Sequence, residues 1–556
     1  MPLRRRPGRA TAGLVLALVT LLTGCTSLSE YVQNGFKVGP DYCPPKAPVP
    51  YHWIDANDVR TEANPEYLCR WWTVFNDPRL NHLIDCAYRQ NLSLKEAGLR
   101  VLQSRAALAI TTGYIFPQSQ TANGGYTRSG FGDVFSDNWR FGFNLSWELD
   151  FWGRYRRAIA AAQANLDVSV ADYDGAIVTM LGDVAFNYIL IRTDQEQIRL
   201  LRENARLQLE IIDKIERRLR AGWRQTTPLD LNQAVSTLKQ TEAAIPGLEI
   251  DLRQAENRLC ILLGMPAIDI QNLIGTGPIP TTPPEVVLGL PAELLRRRPD
   301  VRRAERFAAS QAEQIGIAES SLYPAFSING NLGYSAAAFA DLFRSSSFNG
   351  SVGPSFNWNI LNYGRLINGV RLQEAAFQEA VVAYQRTVIT ADREVEDGII
   401  TFLKAQQRTK LLAESVEAAQ RARSMVVLQY QTGSVDFNRY AVIEQNLVGQ
   451  QNALAGAQGQ IAQGLVQIYR ALGGGWEIKY SGPDATLLPP GAGPVGGPES
   501  PLAPQPPMPP SPAEAIPVPP AASREAIQPP AGQPMAPADV PPAQVPTPAV
   551  PEPSRS

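Results

Sequence analysis

Five cysteines and two histidines are the residues of this 556-residue chain best suited to covalent or metal chemistry. Cys25 stands apart from the rest. Arg4, Arg5 and Arg6 precede an apolar run from Leu14 to Leu22, and the run ends in Leu22-Thr23-Gly24-Cys25. A basic start, a short apolar stretch and small residues before a cleavage point make a secretory signal peptide of residues 1–24. The stretch is too short to cross the membrane as a helix, which needs roughly 20 apolar residues. Its ending resembles a bacterial lipobox, in which the cysteine thiol takes a diacylglyceryl thioether and the new N-terminus takes an acyl chain. Cys25 is therefore expected to carry a covalent lipid, and several acyl chains on one residue hold a protein stably on a membrane. Thr26 follows instead of Asp, which under the enteric sorting rule favours the outer membrane. No other cofactor is expected.

Cys43, Cys69, Cys86 and Cys260 would sit in an oxidising compartment, where four thiols can pair in three ways. Cys86 and Cys260 fall in helical patterns and read as small buried hydrophobes, and a Cys43–Cys69 bridge in the N-terminal arm is one expectation. His52 and His82 give no metal-ligand spacing with the cysteines. The chain lacks a nucleophile elbow, a Walker A loop and a dinucleotide fingerprint, so no enzymatic site is expected. With 51 Lys and Arg against 53 Asp and Glu, the net charge of -2 gives no basic surface for nucleic acid.

Charged residues at alternate positions of a strand come next. Trp139, Phe141, Phe143, Leu145, Trp147, Leu149 and Phe151 alternate with polar residues that include Arg140, Glu148 and Asp150. Strict period-two alternation predicts a strand over about 139–151, with Arg140, Glu148 and Asp150 on a wet face. Similar patterns predict strands over about 326–337 and 349–361, and a weaker one over about 119–129. A strand of about ten residues with one apolar face and aromatics near its ends fits a membrane barrel, with Trp139, Trp147, Phe151, Phe356 and Trp358 toward lipid. Four strands cannot close such a barrel, since roughly eight is the smallest bacterial case. Three chains giving twelve strands is the simplest closure with an aqueous lumen; two chains giving eight is the other.

The chain is duplicated. Phe116-Pro117 matches Tyr323-Pro324, Gly125-Tyr126 matches Gly333-Tyr334, Trp147 matches Trp358, Gly153-Arg154 matches Gly364-Arg365 and Gly222 matches Gly433. Each copy reads helix, strand, loop, strand, very long helix, turn, helix. The long helices are the proline-free runs 154–221 and 365–432, each reaching about 100 Å at 1.5 Å per residue. A seam that includes Ile177, Leu181, Val184, Tyr188 and Leu209 steps by threes and fours, as in coiled-coil packing. The resulting organisation is a lipid-anchored arm over 25–75, a first repeat over 76–267, a Pro/Gly linker over 268–290 and a second repeat over 291–476. A Pro/Ala-rich tail over 477–556 has the composition of a disordered segment.

Three groups of residues resemble the TolC-like outer membrane efflux proteins, in particular their OprM/NodT-like lipoprotein branch, over about residues 38–476. They are Val38-Gly39-Pro40-Asp41-Tyr42 with Pro44; Trp71-Trp72, Phe75, Asp77-Pro78, Leu80, Asn91 and Leu94; and Leu290-Pro291 followed by Leu294-Leu295-Arg296-Arg297-Arg298-Pro299-Asp300-Val301. The resemblance implies a mainly α fold with a membrane β-barrel: a homotrimer whose twelve strands close the barrel above a periplasmic α-helical tunnel. It implies docking with a periplasmic adaptor and an inner-membrane RND-type pump, and a passive outlet for drugs or other small molecules. It also implies a gate at the second hairpin tip, with Asp436 as its first carboxylate, Arg439 beside it and Glu444 in the place of the second. A threefold ring of Asp436 would crowd like charges at a narrow axis and attract cations. Type I secretion and metal efflux use similar outlets, and a lipid-anchored coiled-coil spacer without a pore is the competing reading from another class.

Overall fold

The computed structural model describes residues 27–287 and 296–480, apart from 56–57, 59–60 and 63–64. The expected signal peptide, Cys25, residues 288–295 and everything beyond Tyr480 lie outside the described residues.

The short helix α1 (Leu28–Gln33) leads into an extended arm, and α2 (Pro78–Gln90) and α3 (Leu92–Gly113) follow. Strands β1 (Ser119–Phe131) and β2 (Val134–Leu149) come next, then α4 (Arg154–Arg220) and α5 (Pro228–Leu262). The second copy repeats this order with α6 (Pro299–Ser320), β3 (Ala325–Ala336), β4 (Phe348–Asn357), α7 (Arg365–Gln431) and α8 (Phe437–Ala471). Both long helices have 67 residues and both returning helices 35, so the duplication is kept to the residue. Each long helix starts after a left-handed glycine, Gly153 at φ 81° and Gly364 at φ 79°, where the chain turns abruptly out of the sheet. At Gly153 a Cβ would also come within 2.6 Å of Lys37, so this position accepts only glycine for two reasons.

The four strands form one antiparallel sheet in the order β1-β2-β3-β4. The first hairpin is tighter than the alternation suggests. Phe131 pairs with Val134, leaving only Gly132-Asp133 as the turn, with φ 59° at Gly132. Glycine at the first central position is what a two-residue hairpin of this hand requires. The glycines of β1 and the polar run 136–138 blur the pattern there. β4 stops at Asn357, four residues before its expected end, because Trp358 turns away and its indole donates to the Leu322 carbonyl. The linker is also more ordered than its composition suggests. Arg79 and Arg192 donate to the Ile274, Gly275 and Thr276 carbonyls, and Val286–Val287 pairs in parallel with Thr61–Glu62.

At mid-length, Trp71, Trp72 and Phe75 pack into the helices against Leu83, Tyr188 and Tyr469, with Trp71 stacked on Tyr469 at 5.4 Å. Along the α4 seam Ile177, Leu181, Val184 and Tyr188 are buried, whereas Leu209 is 51% exposed. Cys260 is buried, but Cys43 and Cys69 are exposed free thiols, so the bridge between them is absent.

Beside this core lies a buried charge cluster. Asp174, fully buried in α4, accepts from Arg302 of α6 and from Lys479, and the Trp476 ring lies 4.8 Å from each cation. The neighbouring arginines of the same motif spread outward: Arg297 pairs with Glu477, while Arg298 reaches Asp300, Glu394 and the Ala471 carbonyl. One short basic segment thus ties the start of α6 to α4, α7, the end of α8 and the turn after it. Removing one member of a buried ion cluster leaves uncompensated charge, at about 3–5 kcal/mol. Asp174→Ala is accordingly expected to lower the thermal midpoint of the detergent-solubilised protein, followed by circular dichroism, far more than Asp213→Ala at an exposed pair.

A second buried carboxylate is not paired in this way. Asp194 of α4 is 4% exposed and its Oδ2 has no partner among the described residues. Burial pushes its pKa up to about 7, aided by Asp251 and opposed by Arg258. A raised carboxyl holds a proton in the folded state that the unfolded state has already released, so stability falls as pH rises from about 4 to 7. Asp194→Asn is expected to remove that slope, with melting midpoints of variant and parent diverging as pH rises. Parallel curves would contradict it.

Candidate functional site

The sheet has two unlike faces. The face carrying Arg140 bears Ser, Thr, Asn and Gly at nearly every other position of the four strands. Their side chains bridge from strand to strand: Ser146 to Asn329, Asn329 to Ser355, Asn331 to Asn144 and Ser335 to Asn138, at 2.7–3.1 Å. Of the expected wet residues, Arg140 and Glu148 lie on this face. Glu148 accepts from Tyr155 at 3.1 Å and lies 3.5 Å from Arg154. Asp150 does not belong to it, because β2 ends at Leu149. Instead Asp150 accepts from the backbone of Tyr155 and Arg156 and from the Arg156 guanidinium, capping the first turn of α4.

The opposite face carries Trp139, Phe141, Phe143, Leu145, Trp147 and Leu149, paired across to Leu332, Ile328 and Phe326 of β3, and Phe326 in turn to Phe356 of β4. From Trp139 to Leu149 is about 33 Å along the strand; at the usual barrel tilt this gives a band about 25 Å tall, the height of an outer-membrane hydrocarbon layer. No Asp, Glu, Lys, Arg or His interrupts it. Just beyond Trp139, Asp137 and Arg128 lie 3.7 Å apart. Aromatic rings mark both ends: Tyr126, Trp139 and Phe339 at one, and Phe326, Phe356, Phe151 and Trp152 at the other. Phe151 and Trp358 fall just past the strands, so alternation does not place them; Phe151 reaches the second girdle by packing 5.5 Å from Phe326.

The arm is held at that second girdle. Tyr31 donates to the Phe151 carbonyl at 2.8 Å, and Arg156 donates to the carbonyls of Gly35 and Phe36. The fully buried Arg157 clasps the Val38 and Gly39 carbonyls and pairs with Glu313 at 2.9 Å.

At the far ends of the long helices the hairpin tips pack on Ile212, Ile215, Tyr430, Phe437 and Tyr440. Asp436 is exposed and caps α8, accepting from the Arg439 backbone N–H at 3.0 Å. The Arg439 side chain is exposed as well. Glu444 departs from the expected gate position: it is fully buried and paired with Arg423 at 2.7 Å. The reason is helical phase, since Phe437, Tyr440, Ala441, Glu444 and Leu447 form the buried stripe of α8. Arg218, which the sequence did not single out, donates to the Tyr430 and Gln431 carbonyls and lies over Trp223 and Tyr430, closing α4 onto the end of α7. Between tip and mid-length core, amides join the hairpins: Gln233 to Asn438, Gln445 to Gln240, Asn204 to Gln451 and Gln197 to the Asn452 carbonyl. Asn438 and Gln445 lie seven residues apart on one face of α8, a spacing visible in the sequence once polar as well as apolar seams are counted, whereas Asn452 takes part only through its backbone.

Among the described residues no group of His, Cys, Asp and Glu could hold a metal ion. The outer membrane efflux protein family model matches residues 83–265 and 290–474, the two repeats in turn. Nodulation protein T of Rhizobium leguminosarum bv. viciae is 29% identical over 442 residues, covering 79% of this chain and 90% of that protein. The pyoverdine export outer membrane protein OpmQ of Pseudomonas aeruginosa is 29% identical over 444 residues, covering 77% of this chain and 90% of that one. The solved outer-membrane channel OprN superposes with a TM-score of 0.74 at 29% identity, over 79% of this chain and 99% of its own. With both repeats matched by the family model and the fold superposing on a solved channel, the chain belongs to the outer membrane efflux protein family.

Proposed function

We propose that three copies of this chain close a twelve-stranded barrel in the outer membrane and form, below it, a helical tunnel that serves as the passive exit duct of a tripartite efflux system. The observation that carries this reading is the sheet itself: four strands, one dry face about 25 Å tall, one wet face, and two edges, at β1 and β4, unpaired among the described residues. Free edges are not tolerated in hydrocarbon, so each must meet a partner strand. The helices below repeat the problem. α4 packs between α3 and α6, and α6 against α7, which leaves α3 and α7 at the flanks. Both flanks carry exposed apolar side chains, Leu99, Leu102 and Ile110 on α3 and Ile367, Leu372 and Val382 on α7. Joining β4 and α7 of one chain to β1 and α3 of the next covers both at once.

Energy for export comes from an inner-membrane RND-type pump docked through a periplasmic adaptor at the hairpin tips, and drugs or other small molecules pass outward without chemistry in this chain. Cys25 carries the lipid. It lies two residues before Ser27, within about 7 Å of extended chain, and the arm that follows is bound at the lower aromatic girdle, where acyl chains would enter the bilayer. Three exposed Asp436 carboxylates line the resting tip.

Purified protein is expected to run as a heat-sensitive trimer on gels and to give stepwise conductance in planar bilayers. A monomer without conductance would sink the reading. Cys25→Ala is expected to abolish labelling by an alkyne fatty acid while the trimer still forms. Asp436→Ala is expected to shift the reversal potential of the resting channel away from cations relative to the parent; identical conductance and reversal potential would remove Asp436 from the gate.

A further inference from the structure

We propose that Arg140 sets the charge selectivity of the barrel, as a ring of three guanidinium groups that favours anionic solutes, small molecules bearing carboxylate, phosphate or sulfate. The inference rests on the trimeric barrel proposed above and concerns what that barrel lets through. On the wet face, β1 from Ser119 to Ser129 and β4 from Asn349 to Asn357 carry only Ser, Thr, Asn and Gly, and β3 adds only Ala325. β2 alone brings charge, through Arg140 and Glu148. The two differ in their surroundings. Glu148 sits next to the last residue of its strand and is engaged by Arg154 and Tyr155. Arg140 lies seventh of sixteen residues in β2, at the level of the Trp139 girdle, exposed and with no carboxylate or hydrogen-bond partner among the described residues. Gly125 stands directly across from it on β1 and Ser335 on β3. A glycine and a serine on either side leave the guanidinium free to extend into water. The remaining strand charges, Arg128 and Asp137, are on the other face and offset each other.

Three uncompensated cations at one level of a neutral, water-filled lumen raise the local anion concentration, because the low-dielectric wall focuses their field. Screening limits the reach of that field to about 10 Å at 0.1 M salt and about 3 Å at 1 M. The effect is therefore strongest in dilute salt.

The test is the reversal potential of the full-length protein in planar bilayers under a tenfold KCl gradient, at low and at high mean salt. Relative to the parent, Arg140→Gln is expected to shift it toward cations and Arg140→Glu further, with the larger shift in dilute salt and the smaller in concentrated salt. Arg140→Lys is expected to restore the parent value, which separates charge from side-chain size. Unchanged reversal potentials in a conducting Arg140→Glu channel overturn the assignment to Arg140 alone. Absence of conductance in the parent protein overturns the barrel reading and this inference with it.

Discussion

A sheet edge presents a row of backbone N–H and C=O groups, and in hydrocarbon each one left unpaired costs several kcal/mol. Every large feature of this chain follows from how that cost is avoided. β2 and β3 meet across the duplication, so the two copies share one sheet, but β1 and β4 still end it. No rearrangement within one chain pairs the ends of a four-stranded sheet, because so few strands leave no interior for side chains. In the trimer proposed above, the edges are paired between chains. This pairing also dictates the helices, since α3 and α7 descend from the same two flanks.

Within a chain, charge is used where apolar packing alone would leave register loose. A stack of long helices joined by a regularly repeating apolar seam can slide by a turn at little loss of buried area. Asp174 with Arg302 and Lys479 does not slide, because a displaced partner leaves a buried charge bare. Arg157 does the same for the arm, and Arg423 with Glu444 for the second tip. These pairs lie at three different levels along the helices, so each fixes the register of a different length of the bundle.

The parts legible in the sequence are those that repeat with a period. Alternation between 139 and 149, the seam from Ile177 to Tyr188 and the glycines that end the long helices all announce the geometry they adopt. β1 blurs the same alternation with glycine, and its hairpin is tighter than it reads. The site was less legible. Arg140 was readable because a strand has only two faces, whereas Asp150 required knowing where the strand stops. Glu444 looked like an acid near a tip, and only the phase of α8, set by its start at Phe437, turns it inward. Pairs such as Asp174 with Lys479, 305 residues apart, have no local signature at all. The arginine motif was distinctive in sequence for that reason: its composition is unusual, but its purpose resides in partners on four other segments.

The equal lengths of the repeated helices have a symmetry consequence. Two helices of 67 residues, each returning through one of 35, bring both hairpins of a chain to nearly the same depth. In the trimer proposed above, three chains would present six tips at one level, threefold in sequence and close to sixfold in outline. The departures from sixfold are chemical: one tip in each pair carries Arg217 and Arg220 paired with Asp213 and Glu216, together with Arg218 and Arg224, and the other Ser434, Asp436 and Arg439. A cap that reads only shape meets six equivalent posts, while one that reads charge meets three pairs of alternating character.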